Sequence, residues 1–154
     1  MTDTTLSSIY NFREVDEALC TSGQPSVAQL GSVAEAGFTT IINLALHDDP
    51  SYSLPDEQDT VKSLGLFYVH IPVQFSAPTE GELFTFFAAM EAHRNEKIWI
   101  HCAANIRVSV FLGLYRVIKQ GWENERAFEL LHSLWQPNEV WSSFISTMLV
   151  KHRG

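Results

Sequence analysis

The chain has 154 residues, 45% hydrophobic and 12% aromatic, with a formal net charge of −8. That length and apolar content fit one compact folded unit spanning residues 1–154 and argue against disorder. The acidic balance, with no basic stripe, argues against nucleic-acid binding and requires any anion site to be a local positive island. No stretch approaches the roughly 18–20 apolar residues of a membrane span. Met1–Tyr10 lacks the basic-then-apolar pattern of a secretion signal, so a cytoplasmic protein without membrane contact is expected.

Strand and helix signals alternate along the chain. Leu19–Thr21 reads as a short strand, followed by the turn Ser22-Gly23-Gln24-Pro25. Ser26 opens a helix with Gln29 as its capping-box partner, and Gly37 stops it. Thr39–Leu46 is a buried strand by its β-branched and apolar content. A loop over His47–Pro55 leads to a helix over Pro55–Leu64 that Gly65 ends, and Leu66–Val73 is the next strand. Thr79 and Glu82 form a second capping box, opening a helix with Leu83, Phe87 and Met90 on one stripe. Lys97–His101 is a short apolar strand. From Arg107 to Gly121 the pattern is apolar nearly all round, as in a helix buried on most faces. Two further amphipathic helices are split by Pro137, with Asn138 as cap of the last. Such alternation predicts an α/β fold: a mainly parallel central sheet with helices on both faces, three layers in all. Ligands of such sheets bind beyond the carboxyl ends of the strands.

The segment at that position is His101-Cys102-Ala103-Ala104-Asn105-Ile106-Arg107-Val108-Ser109. A helix N-terminus offers unpaired N–H groups and a positive dipole end, which together bind anions. A cysteine held there has a lowered pKa and is a nucleophilic thiolate near neutral pH. Arg107 can grip two oxygens of a phosphoryl group at once. Ser109 can donate to the thiolate or assist its departure, and His101 can support it through hydrogen bonds. A buried core cysteine beside an ordinary helix-start arginine is the plainer alternative.

His-Cys, a short loop, arginine and a nearby hydroxyl resemble the signature of protein tyrosine and dual-specificity phosphatases. Asn11-Phe12-Arg13, Ser22-Gly23-Gln24-Pro25, Ile42-Asn43-Leu44, and Tyr68–Val73 with Pro78-Thr79 extend the likeness to a bacterial branch of that superfamily. Its function is poorly assigned, and some relatives are fused to metallo-hydrolase domains. The resemblance covers roughly Asn11–Ile118 and implies the phosphatase three-layer sandwich. It implies phosphate monoester hydrolysis through a phosphocysteine intermediate, with Cys102, Arg107 and Ser109 catalytic and Ala103, Ala104, Asn105 and Ile106 binding phosphate. A phosphorylated small molecule or phosphoprotein would be the partner, with no metal or organic cofactor.

Two departures stand out. The usual loop has five residues between cysteine and arginine, one of them glycine; this one has four and no glycine. A backbone nest of this kind needs a residue near left-handed φ, which Asn105 tolerates best, so positive φ is expected there. The four-residue spacing also resembles rhodanese-like sulfurtransferases, in which the cysteine carries a persulfide. The second departure is the general acid. Ile71–Pro78, where an aspartate is expected, holds no carboxylate, and Gln74 stands in its place. Glu80, Asp48 and Asp49 are the remaining candidates, although Glu80 and Glu82 suit a helix first turn. Without an acid the chain could be a non-catalytic phosphate-binding module. Cys20 reads as a small apolar strand residue, with a redox pairing to Cys102 the alternative. Trp122, Trp135 and Trp141 read as a packed C-terminal cluster, and His70 with His101 is too little for a metal site.

Overall fold

The computed structural model describes residues 6–46 and 53–152. Asp48 and Asp49 lie outside the described residues. Among the described residues, five strands form one sheet: β1 (Arg13–Asp16), β2 (Leu19–Ser22), β3 (Thr40–Asn43), β4 (Phe67–His70) and β5 (Ile98–His101), in the order β1-β2-β5-β3-β4. Only the β1–β2 pairing is antiparallel; β2–β5, β5–β3 and β3–β4 are parallel. The helices are α1 (Val27–Glu35), α2 (Glu57–Ser63), α3 (Glu80–Ala92), α4 (Ile106–Ile118), α5 (Asn124–Ala127), α6 (Glu129–Leu134) and α7 (Glu139–His152).

The sheet sorts its side chains by period two. Ile41 and Trp99 join a core with Leu30 and Val33 of α1 and Val61 of α2. Ile42, Ile98 and Ile100 join the larger core formed with α3 through α7. The three-layer arrangement follows from these two cores. Both expected capping boxes are present: Ser26 with Gln29 before α1, and Thr79 with Glu82 before α3. The glycines read as helix stops, Gly37, Gly65 and Gly121, all have positive φ.

Three features differ from expectation. β1 carries no strand signal in the sequence. Its sequence, Arg-Glu-Val-Asp, is charged and half-exposed because it forms the sheet edge, where charge protects unpaired backbone groups. The expected strands over Thr39–Leu46 and Leu66–Val73 pair over only four residues each, their outer ends turning into loops above the sheet. The segment before Pro137 is two short helices rather than one, interrupted at Phe128. Asn138 does cap α7, its Oδ1 accepting from Trp141 N at 3.0 Å. No helix among the described residues is long and apolar enough to cross a membrane.

Candidate active site

β5 ends at His101, and α4 begins at Ile106, so Cys102–Asn105 bridge a strand end and a helix start. Asn105 has φ 69° and ψ 9°, the left-handed conformation expected for the residue that closes a loop lacking glycine. Its side chain is fixed as well as its backbone. Nδ2 donates to Asn11 O and to Thr21 Oγ1, both at 2.9 Å, and the residue is fully buried.

The upstream motifs meet the loop directly. Gln24 N donates to Ala103 O at 3.1 Å, and Asn11 Nδ2 donates to Ala104 O at 3.0 Å. Gly23 N donates to Tyr10 O at 2.7 Å. A Cβ on Gly23 would lie 2.6 Å from Ala103 O and 2.6 Å from a Tyr10 ring carbon. The Ser-Gly-Gln-Pro turn and the Asn11 segment thus form a backing that holds two loop carbonyls. Because a trans peptide sets N–H opposite C=O, the Ala104 N–H points away from the Gln24 backing.

Cys102 is fully buried, with its N–H on Ser22 O at 3.4 Å. Arg107 is 9% exposed, and its Nη1 donates to Val73 O at 2.7 Å. The arginine therefore ties the loop to the segment in which an acid is expected. That segment turns over Gln74–Ala77 and is held from its other side by Trp141 Nε1, which donates to Phe75 O at 2.7 Å. Gln74 is exposed. Ser109 Oγ lies 2.6 Å from Ile106 O and accepts from Trp135 Nε1 at 3.1 Å. An indole only donates and a carbonyl only accepts, so the single hydroxyl proton lies toward Ile106 rather than the thiol.

His101 has a partner that local sequence did not disclose. Its Nε2 is 2.7 Å from Glu57 Oε2, and both side chains are completely buried. Its Nδ1 is 3.3 Å from the Cys102 carbonyl. Glu57 Oε1 accepts from Gln24 Nε2 at 2.9 Å, and Tyr68 also hydrogen-bonds the carboxylate. Tyr68 OH accepts from Asn43 Nδ2 at 3.0 Å. Burial, then the nearby Glu57 charge, pushes the Tyr68 phenol well above its ordinary range, which keeps it a proton donor. The available signal was a glutamate in the first turn of a helix entering from the carboxyl edge of the sheet, near a buried histidine needing an acceptor.

Glu80 is engaged elsewhere. It pairs with Lys151 at 3.0 Å and with His152, and these hydrogen bonds, Lys151 first, hold its carboxyl below the ordinary range. Its carboxyl is thus tied to the last helix. Glu82 is spent on the Thr79 cap. Cys20 packs in the α1–α2 core and Cys102 in the other, so the sheet separates the two thiols. Burial pushes the Cys20 thiol up to about 11. Trp135 and Trp141 meet edge to face near the loop, whereas the Arg116 and Arg126 guanidinium groups both lie over the Trp122 ring. His70 faces the Ala45 carbonyl.

Residues 4–141 match the family described as DSP-PTPase phosphatase fused to NAD+ kinase. The chain belongs to this phosphatase family. A candidate phosphatase (DUF442) from Shewanella putrefaciens CN-32 is 27% identical, with a TM-score of 0.85 and 97% of each chain covered. TpbA of P. aeruginosa, solved in complex with pTyr, is 15% identical with a TM-score of 0.66, covering 99% of this chain and 93% of its own. The core catalytic domain of the S. cerevisiae PP-IP phosphatase SIW14 is 20% identical with a TM-score of 0.70, covering 90% and 85%. At those lower identities the likeness is one of fold. No curated protein sequence matches the chain. Membership of a phosphatase family favours phosphate ester chemistry over sulfur transfer, for which the four-residue spacing is the support.

Proposed function

We propose that the chain hydrolyses phosphate monoesters through a phosphocysteine intermediate at Cys102. The observation that carries this reading is the left-handed Asn105, which closes a four-residue loop between the cysteine at the end of β5 and Arg107 at the start of α4. The Cys102 thiolate attacks phosphorus as the bond to the ester oxygen breaks. Water then attacks the phosphocysteine, the S–P bond breaks and inorganic phosphate leaves. Loop N–H groups of Ala104 through Ile106 and the Arg107 guanidinium hold the phosphoryl oxygens. Arg107 spends one donor on Val73 O and keeps others for this task. Ser109 assists thiolate departure once its proton turns from the Ile106 carbonyl. Cys102 is fully covered, so the reaction begins with a displacement that uncovers the thiol.

With Gln74 in place of an acid, the leaving oxygen departs without protonation from that segment. Esters of good leaving groups are favoured, so the substrate class is phosphotyrosine-like: a phosphorylated small molecule or phosphoprotein carrying an aryl ester. The pTyr bound to TpbA suits this class.

The test is hydrolysis of p-nitrophenyl phosphate by the purified protein beside Cys102→Ser. Activity present in the first and absent in the second is expected, with phenyl phosphate hydrolysed faster than an alkyl phosphate. Phosphate binding without turnover in either protein would instead make the chain a phosphate-recognition module.

A further inference from the structure

We infer that a cavity at the opposite end of the sheet from Cys102 binds a small organic carboxylate through Arg94 and Arg116. The cavity, about 220 Å³, is lined by Asp16, Met90, Arg94, Leu112, Arg116 and Trp122 among others. Ile98, the first residue of β5, borders it as well, whereas Cys102 follows the last. Arg116 comes ten positions after Ile106, where α4 begins, which is roughly 15 Å along the helix axis. That exceeds the screening length at physiological salt, so this positive site and the loop act separately. Nothing about the cavity depends on Cys102 being a nucleophile.

Local structure gathers the cations. Gly121, with φ 75°, turns the chain past the end of α4, and Trp122 N donates back to Arg116 O at 2.9 Å. The turn brings the indole to the Arg116 guanidinium, which lies 4.1 Å from the ring centroid. Arg126 places its own guanidinium 4.4 Å from the same centroid. Arg94 follows α3, where its Nη1 donates to Glu91 O at 3.1 Å. An indole face attracts a cation but accepts few of its N–H donors.

Donors are in excess here. Among the described residues, ion pairs are made by His93, His101, Lys151 and His152, and by no arginine. The Arg116 and Arg126 guanidinium groups have no hydrogen-bond acceptor among those residues. Arg116 is only partly exposed; burial disfavours its charge most, Asp16 favours it and Arg126 opposes it. The carboxylates that line the cavity already have donors. Asp16 Oδ1 accepts from Ala18 N at 2.7 Å, and Glu96 Oε1 accepts from Thr40 Oγ1 at 2.7 Å. Carbonyls near the end of α4 are engaged as well, Tyr115 O by Lys119 N and Val117 O by Gly121 N.

These features define the ligand's chemistry. A guanidinium matches an oxyanion with two parallel N–H bonds. Asp16 and Glu96 repel a dianion more than a monoanion, which favours a carboxylate over a phosphate. Met90, Ile98 and Leu112 belong to the core and give the cavity an apolar side. The ligand therefore joins one carboxylate to a compact apolar body.

Benzoate is the probe, titrated into the nitrogen-labelled native protein at constant ionic strength. The NMR signals of the Trp122 indole N–H and the Arg116 Nε–H are followed, and the Asn105 amide reports the catalytic loop in the same spectra. Saturable shifts at Trp122 and Arg116 are expected. Benzamide, of the same shape without the charge, should bind roughly tenfold more weakly or worse, as charge-assisted hydrogen bonds are lost. Acetate, which lacks the apolar body, should also bind more weakly. Arg116→Gln should abolish the Trp122 shift. Arg94→Gln alters an exposed residue and should weaken binding several-fold, which keeps the test open if the first variant does not fold. Shifts at Asn105 alone, no saturable shift with roughly tens of millimolar benzoate, equal binding of benzamide, or undiminished binding in folded Arg94→Gln would overturn the assignment.

Discussion

Gly23 has no room for a side chain: the atoms its Cβ would strike include the Ala103 carbonyl, which is backbone and cannot swing aside. Gly23→Ala must therefore push the turn off the loop. A loss of about 1–3 kcal/mol is expected, the usual cost of overpacking, together with weaker phosphate binding; urea unfolding and phosphate titration of the variant would check both. Unchanged stability would mean that the turn and loop can separate freely. At this scale the candidate site was partly legible. Asn105 could be assigned its backbone conformation because few residue types accept positive φ and no glycine competes for the role. Glu57 could not be assigned. Its partner is 44 positions away, and a first-turn glutamate usually needs no more explanation than the helix dipole. Ser109 shows the opposite limit: its spacing from Cys102 was readable, but the direction of its proton depends on Trp135, which only the fold brings near.

The elements around the loop divide the labour. β5 and α4 flank the loop of the proposed reacting groups, the β2–α1 turn backs that loop, and α7 reaches over to the segment after β4. Trp141 makes that last connection, fully buried with its indole N–H on the Phe75 carbonyl. Trp141→Phe keeps most of the apolar contact and leaves that carbonyl without its donor. The expected cost is about 1 kcal/mol, the net worth of a typical hydrogen bond, with a fall in kcat/KM for aryl phosphates. Thermal unfolding and steady-state kinetics would measure them, and an unaltered kcat/KM would show that the Gln74–Ala77 turn is held without α7. Capped helices were the most readable elements, because Ser26–Gln29 and Thr79–Glu82 are local signals with a local cause. Strand ends were not, since β3 and β4 stop pairing where neighbouring strands stop, a matter of partners. β1 is illegible for a related reason: an edge strand displays charge and lacks the alternating apolar pattern that marks a strand.

Over the whole molecule, a net charge of −8 opposes the approach of a phosphate dianion. The attraction is confined to the loop, the α4 start and Arg107. Raising ionic strength screens the distant repulsion before it screens these close contacts. For p-nitrophenyl phosphate, kcat/KM should therefore rise with added inert salt, by roughly twofold or more between low and moderate ionic strength. A fall would mean that a local positive field, rather than the overall charge, governs encounter. The three-layer architecture was legible from alternation alone, because two apolar cores on opposite sheet faces leave a periodic trace in each strand. The order of strands left no such trace.

The backing of the loop has a temporal side. The bonds from Asn11 and Thr21 to Ala104 and Asn105 span 84 to 94 residues of chain, whereas the capping boxes close over three. Contacts that close long stretches of chain bear the larger entropic cost and form late. The helices can exist before the anion cradle does. On the proposed reading, the site is thus completed only when the first and fifth sixths of the chain have met, and a partly folded molecule carries the thiol without the means to use it.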